Sequence, residues 1–484
     1  MEDYNKSRGE AWREELRKSH TPKERNTIER VVMPQLDAKY RITCNEEVNQ
    51  GITLEQARRE ATRCLDCLNA QCVTGCPVGI NIPEFIKNVE RGEIGEAGRV
   101  IKRTSSLPAV CGRVCPQEKQ CESKCIKHKL KQEPVAIGYL ERFVADWQIS
   151  HSEEETTSMP ERNGIKVAVV GSGPAGLSFA GEMAKQGFEV TVFEALHEIG
   201  GVLKYGIPEF RLPNTIVDHE IEGLRKLGVK FEKSVLVGKT ITIDELKAEG
   251  YKGIFVGSGA GFPRFMNIPG ENLNGVMSSN EYLTRINLMN AGRGGDTPVL
   301  KGDTIAVIGG GNTAMDSTRT ALRMGAKRVI LVYRRSEEEM PARREEVHHA
   351  KEEGVEFMTL HNPVEYLGDE KGRVVAMKVQ RMELGEPDAS GRRSPVAVEG
   401  AIETIAVDLV IVAVGVQPNQ LVPRSIEGLE ISKRNTIVVD ETSMRSNIGD
   451  IYAGGDIVRG GATVILAMGD GRRAAINMAK QLTQ

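Results

Sequence analysis

Aromatic side chains are scarce in this chain. Phe, Trp and Tyr make up 5% of its 484 residues, and only two are tryptophan. Nothing in it resembles a platform for stacking bases. An excess of either charge is also missing: 64 basic side chains face 67 acidic ones, for a formal net charge of −3. That balance argues against nucleic acid or another polyanion as a partner. Long apolar runs are lacking too. The longest, Ile405–Val416, contains Asp408 and is too short to span a bilayer. The first residues, Met1-Glu-Asp-Tyr-Asn-Lys, are charged and do not read as a secretory leader. These absences predict a cytoplasmic protein with no membrane segment and no nucleic-acid partner.

What remains is the composition of an ordinary globular protein, 40% hydrophobic and 27% charged. The length suggests about three domains. Cysteine is where the chain departs from the ordinary. Eight of the nine cysteines lie between Cys64 and Cys125. One group is Cys64, Cys67, Cys72 and Cys76; the other is Cys111, Cys115, Cys121 and Cys125. Pro77 follows Cys76 and Pro116 follows Cys115. In a reducing compartment such clusters are ligands more often than disulfides. Cys44 stands apart and reads as an inert thiol. Iron–sulfur clusters, zinc sites, disulfides and unrelated thiols compete for the eight. Zinc sites favour separated Cys-x-x-Cys pairs with histidine nearby. Here one pair only, Cys64/Cys67, has that spacing, and His128 is the only neighbouring histidine. Turning loops with Cys-Pro steps favour two [4Fe–4S] clusters.

Helical patterns surround the cysteines, at Glu10–Ser19, Leu54–Arg63, Ile82–Val89, Ile94–Thr104 and Val135–Trp147. A polar stretch, His151–Gly164, reads as a linker. Beyond it short β-rich runs alternate with helical segments: Lys166–Val170, Glu189–Phe193, Ile254–Val256, Thr304–Ile308, Arg328–Tyr333 and Asp408–Val414. This predicts an α/β chain with parallel sheets. The division expected is a helical iron–sulfur domain over 1–150, an FAD-binding domain over 164–285 and 408–484, and an NADPH-binding domain over 286–407.

Two dinucleotide fingerprints sit on this alternation. The strand Lys166–Val170 enters Gly171-Ser-Gly173-Pro174-Ala175-Gly176, and a helix follows. The glycines allow the turn, the approach of a pyrophosphate and close helix–strand packing, while the helix N-terminus faces the phosphates. Glu194 ends the next strand, where an acid accepts from a ribose diol. The second fingerprint is Gly309-Gly-Gly311-Asn312-Thr313-Ala314. Its following strand ends in Arg334-Arg335, not in an acid. Guanidinium groups there favour a 2′-phosphate, and so NADPH over NADH. Further on, Gly454-Gly455-Asp456 resembles the second flavin motif of two-dinucleotide flavoproteins. That resemblance implies FAD, with Asp456 on the ribitol and a helix starting near Ala462 aimed at the flavin.

Together these segments resemble the small-subunit family of NADPH-dependent glutamate synthase. Its relatives include the large subunit of NADH-dependent reduced ferredoxin:NADP oxidoreductase and the electron-input half of dihydropyrimidine dehydrogenase. The carriers are Arg63–Cys67, Gly75–Val78, Leu107–Gln117, Gly200-Gly201 through Pro208, Gly309–Ala314 and Tyr333-Arg-Arg. The resemblance implies that Cys64, Cys67, Cys72 and Cys125 hold one cluster and Cys76, Cys115 and Cys121 the other. Its fourth ligand would be Cys111 or Glu141. It implies electron flow from NADPH through FAD and the clusters to a partner, with no catalytic acid or base. That partner would be a large glutamate synthase subunit, because the family's cysteine glutaminase nucleophile is absent here, where Glu2 follows Met1, and no FMN-type barrel follows Asp456. The wording of Gly206–Pro213 and Leu140–Asp146 is close to the bifurcating oxidoreductase instead. That alternative implies a ferredoxin-linked flavoprotein partner. Self-association into a homo-oligomer stays open.

Overall fold

The structure, a computed structural model, describes residues 4–151, 159–291, 295–389 and 391–484. Half of the expected linker, at 152–158, and the charged start at Met1–Asp3 lie outside the described residues.

The cysteine-bearing part is helical, as expected. Its main helices are Ala11–Ser19, Leu54–Thr62, Ile82–Arg91, Ile94–Lys102, Pro108–Val114 and Ile137–Ser150. Local chemistry starts them. Thr53 and Gln56 cap each other reciprocally ahead of Leu54–Thr62. Their apolar faces do not close a core alone. Phe85, Val89, Leu140 and Val144 belong to one buried cluster with Phe179, Met183 and Met468 from beyond residue 164. Burying each such side chain stabilises by about 1.5–3 kcal/mol, so this part is packed onto the rest.

The strands are β1 (Lys166–Val170), β2 (Glu189–Phe193), β3 (Lys230–Glu232), β4 (Tyr251–Val256), β5 (Phe262–Pro263), β6 (Val276–Ser278), β7 (Thr304–Ile308), β8 (Arg328–Tyr333) and β9 (Glu356–Thr359). They continue with β10 (His361–Gly368), β11 (Val374–Pro387), β12 (Arg393–Ala406), β13 (Leu409–Val412), β14 (Val416–Gln417) and β15 (Ile451–Ala453). One parallel sheet has the order β15-β4-β1-β2-β3 and a second the order β6-β13-β7-β8-β9. Their central strands are buried along nearly their whole length, as sheets covered on both faces require. A short antiparallel pair, β5 with β14, marks the crossing between the two.

Two expectations need correction. The division at 408 put the strand near Asp408–Val414 with the FAD part. Leu409–Val412 instead pairs with β7 and β6 in the second sheet, and β15 is the strand that rejoins the first. The apolar run Ile405–Val416 hid the break between β12 and β13 at Val407–Asp408. The second surprise is an antiparallel sheet, β10-β11-β12, within the expected NADPH part. Its outer strand β12 is mostly exposed, Val396 and Ile402 included, and charged and polar residues break up its apolar ones, so it gave no buried-strand signal.

Candidate functional site

The first cysteine loop is built on an ionic scaffold. Asp66, between Cys64 and Cys67, adopts φ +50° and is fully buried. Arg13 at 2.6 Å and Arg17 at 2.8 Å hold its carboxylate, and buried Lys87 donates to Cys64 O at 2.8 Å. This turns the two cysteines inward together. Cys72 has Cys64, Cys125 and Cys67 as its ionisable neighbours, and Cys67 has Cys125. The structure therefore brings Cys64, Cys67, Cys72 and Cys125 together. Burial pushes the Cys64 thiol up to about 11 and Cys72 well above its ordinary value.

The second group gathers Cys76, Cys111, Cys115 and Cys121 around Glu141. Gly75 sits against the backbone of Gln120 and Cys121, which interleaves the two sequence groups. Burial drives the Cys76 thiol up to about 12. Burial, then Glu220, pushes Glu141 up to about 8. Glu141 Oε1 has no hydrogen-bond partner, an arrangement that is costly for a buried carboxyl unless a ligand supplies one. Cys111 is differently placed: its Sγ lies 3.4 Å from Met468 Sδ. All nine cysteines are free. Among the described residues no group of three or more His, Cys, Asp or Glu side chains closes on one metal-ion position. Thiols plus one unpartnered carboxyl are a donor set that fits iron–sulfur clusters.

The first fingerprint takes the expected shape. Gly171 has φ +97°, and a side chain there would stand 2.7 Å from Gly257 O. Gly173 caps the helix Pro174–Lys185, which contains Ala175 and Gly176, and nothing would crowd a group placed above Gly173. Gly201 lies against Gly173, and Gly455 against Ala175. So Gly171, Gly173, Gly201 and Gly455 line one place. Asp456 follows, its Oδ1 accepting from Ala462 N at 2.9 Å; burial raises it to about 6. Glu194 is committed to the loop itself. It accepts from Ser172 N at 2.8 Å, Ser172 Oγ at 2.6 Å and Leu196 N at 2.8 Å.

At the second fingerprint Gly311 caps the helix Asn312–Arg323, which holds Thr313 and Ala314. Gly309 packs on Ala413, and Asn312 Oδ1 accepts from Arg343 N at 2.8 Å. The two arginines separate. Arg334 is exposed, whereas Arg335 is buried, pairs with Asp388 at 2.7 Å and donates to Arg393 O at 2.8 Å. Arg335 thus anchors the turn between β11 and β12.

The helix Val464–Leu482 was expected only as a flavin-facing end. Its interior matters more. Asp470 is fully buried, accepts from Gly455 N at 3.1 Å and pairs with Arg459 at 2.6 Å and Arg473. Gly469 lets this helix press on Pro77; a side chain there would be 2.8 Å from Pro77 O. The signal was the Gly-Asp-Gly inside a long helix, where glycine costs about 1 kcal/mol and so marks close packing.

Residues 165–471 match the family described as pyridine nucleotide-disulphide oxidoreductase, and residues 41–153 match dihydropyrimidine dehydrogenase domain II, 4Fe-4S cluster. The glutamate synthase (NADPH) small chain of Escherichia coli (strain K12) is 36% identical over 457 residues, 93% of this chain and 96% of that one. The same-named chain of Azospirillum brasilense is 36% identical over 441 residues, 89% of this chain and 90% of its own. This chain belongs to the glutamate synthase small-chain family. Similarity within that family extends to other systems. The NADP(+)-dependent formate dehydrogenase subunit beta of Moorella thermoacetica is 38% identical over 443 residues, 86% of this chain but 60% of that subunit. The fold is also that of FprA from Mycobacterium tuberculosis in complex with NADPH, with a TM-score of 0.56 at 21% identity over 66% of this chain and 85% of that one. Among the described residues no helix of this small-chain relative is long and apolar enough to cross a membrane.

Proposed function

We propose that this chain is the electron-input subunit of an NADPH-dependent glutamate synthase, oxidising NADPH in the cytoplasm for a large partner subunit. FAD, when bound, takes up the two electrons of a hydride and releases them singly, as four-iron clusters require. The observation that carries this reading is a single helix. Val464–Leu482 begins beside the flavin motif and lays Met468 and Gly469 against Cys111 and Pro77. One rigid element therefore reaches from the flavin motif to Pro77, the neighbour of Cys76.

The assignments follow from that geometry. FAD would be held by Gly171, Gly173, Pro174, Ala175, Gly176, Gly201, Gly455 and Asp456, with Glu194 offering its remaining lone pairs to the ribose. NADPH would lie on Gly309, Gly311, Asn312, Thr313 and Ala314, with Arg334 at the 2′-phosphate. Cys64, Cys67, Cys72 and Cys125 would hold one cluster. Cys76, Cys115, Cys121 and Glu141 would hold the other, since Glu141 Oε1 lacks a partner while Cys111 Sγ lies against Met468 Sδ. The chain positions the rings and excludes water; hydride transfer needs no acid or base from it. Three units suit these roles, a helical one over 1–150 and two nucleotide units that meet at β5 and β14. Free cysteines throughout suit a reducing compartment.

The test is reconstitution. The purified chain with NADPH, glutamine and 2-oxoglutarate is expected to form no glutamate, and adding a glutamate synthase large subunit is expected to produce it. Glutamate from the chain alone would contradict the proposal. The Gly206–Pro213 wording favours a second reading, a subunit of a bifurcating NADH-dependent ferredoxin:NADP oxidoreductase. That reading predicts NADP reduction from NADH and reduced ferredoxin once a ferredoxin-linked flavoprotein is added.

A further inference from the structure

The segment Arg113–Lys119 carries Cys115 and leads to Cys121, both proposed as ligands of one cluster. It is bonded directly to the loop Pro341–Arg344 of the second nucleotide unit. Lys119 Nζ donates to Pro341 O at 2.8 Å and to Ala342 O at 3.0 Å. Glu118 Oε1 accepts from Arg344 N at 3.1 Å. Arg343, buried, donates through Nη1 to Arg113 O at 2.5 Å. The Pro341–Arg344 loop in turn grips the fingerprint. Ala342 N donates to Gly310 O at 3.2 Å and Arg343 N to Asn312 Oδ1 at 2.8 Å. On the cluster side, buried Gln117 fixes the same segment through Cys111 O and Gly112 O, at 3.4 and 3.5 Å.

We infer that Lys119 and Glu118 are positioning residues for the pyridine nucleotide, so that the iron–sulfur unit completes the nucleotide site and reports its occupancy to the cluster held by Cys76, Cys115 and Cys121. This rests on the proposed NADPH and cluster sites. An unbroken run of hydrogen bonds joins Asn312 through Arg343 to the segment that carries Cys115. Binding that tightens the loop must change the free energy of the attached segment, and linkage makes the effect reciprocal.

The probe is 2′,5′-ADP, which carries the 2′-phosphate but no ring that accepts a hydride. Cluster-loaded wild type, Lys119→Ala and Lys119→Arg would each be titrated with it by calorimetry. The dithionite-reduced forms would be followed by electron paramagnetic resonance. In wild type the ligand should shift the signal of one cluster and leave the other alone. In Lys119→Ala the Kd should rise about tenfold, about 1.4 kcal/mol. The cluster shift should vanish with iron content unchanged, and Lys119→Arg should recover both. A cluster signal indifferent to bound 2′,5′-ADP in wild type, or unchanged Kd and shift in Lys119→Ala, would overturn the inference alone. Wild-type protein that is loaded with iron and binds no 2′,5′-ADP would overturn the NADPH site along with it.

Discussion

Two arginines adjacent in sequence have opposite surroundings, and that difference decides what each can do. Arg335 is buried between Asp388 and the Arg393 carbonyl, while Arg334 is exposed beside the end of β8. The proposed contact with a 2′-phosphate therefore falls to Arg334. Arg334→Ala should raise the KM for NADPH by roughly 10- to 100-fold, the worth of a charged hydrogen bond at about 1.5–3 kcal/mol, and leave that for NADH alone. Steady-state kinetics with both cofactors check this; an equal loss with NADH would contradict it. Arg335→Ala should loosen the β11–β12 turn instead. Asp456 supplies a pH dependence. Burial lifts its carboxyl to about 6. A ribitol hydroxyl donates best to the ionised form, so FAD binding favours loss of the proton. FAD affinity should rise with pH up to about 6 and then level off. Asp456→Asn should bind weakly with no such slope. Flavin fluorescence released at each pH measures it, and an identical slope in the variant would refute the role of Asp456.

At the scale of elements, three helices meet on one buried carboxylate. Glu353, at the end of Arg344–Glu352, pairs with Arg319 and Arg323 of Asn312–Arg323 and with Arg41 of Ala38–Arg41. Burial alone would raise its pKa, yet these guanidiniums outweigh that and hold it down at about 2. Its contribution is thus present above the ordinary carboxylate range and lost as pH falls toward 2. Glu353→Gln removes the counter-charge of Arg323 and one of the two carboxylates paired with Arg319 and with Arg41, and should cost about 3–5 kcal/mol, seen as a lower urea midpoint at pH 7. An unchanged midpoint would remove the network from the account. None of this network is visible in sequence, because its members are far apart and each reads as a solvated surface charge. The parallel strands were legible. β1, β2, β7 and β8 fall on the runs read from Val- and Ile-rich patterns, because burial on both faces demands continuous apolar sequence. β12 was not, since its side chains stay in water. The thiols were legible as a set, and their convergence with Glu141 depended on tertiary packing that no spacing encodes.

The whole molecule ties its parts together more firmly than a polar linker suggests. The helical unit shares its core with the first sheet, and Arg41, Lys119 and Glu118 bind it to the second nucleotide unit. Such an assembly suits electron transfer, where fixed distances between sites matter more than domain motion. The cysteines, the flavin motif and the second fingerprint fit together as the parts of the proposed path between NADPH and iron. One anaerobic experiment on reconstituted wild-type protein addresses that directly: metal and flavin content, followed by titration with NADPH while the flavin absorbance is recorded. The account predicts one FAD and about eight irons per chain, as two four-iron clusters require, with the flavin bleached by NADPH and hardly by NADH. Stoichiometric zinc without iron, or a flavin that NADPH leaves oxidised, would contradict it.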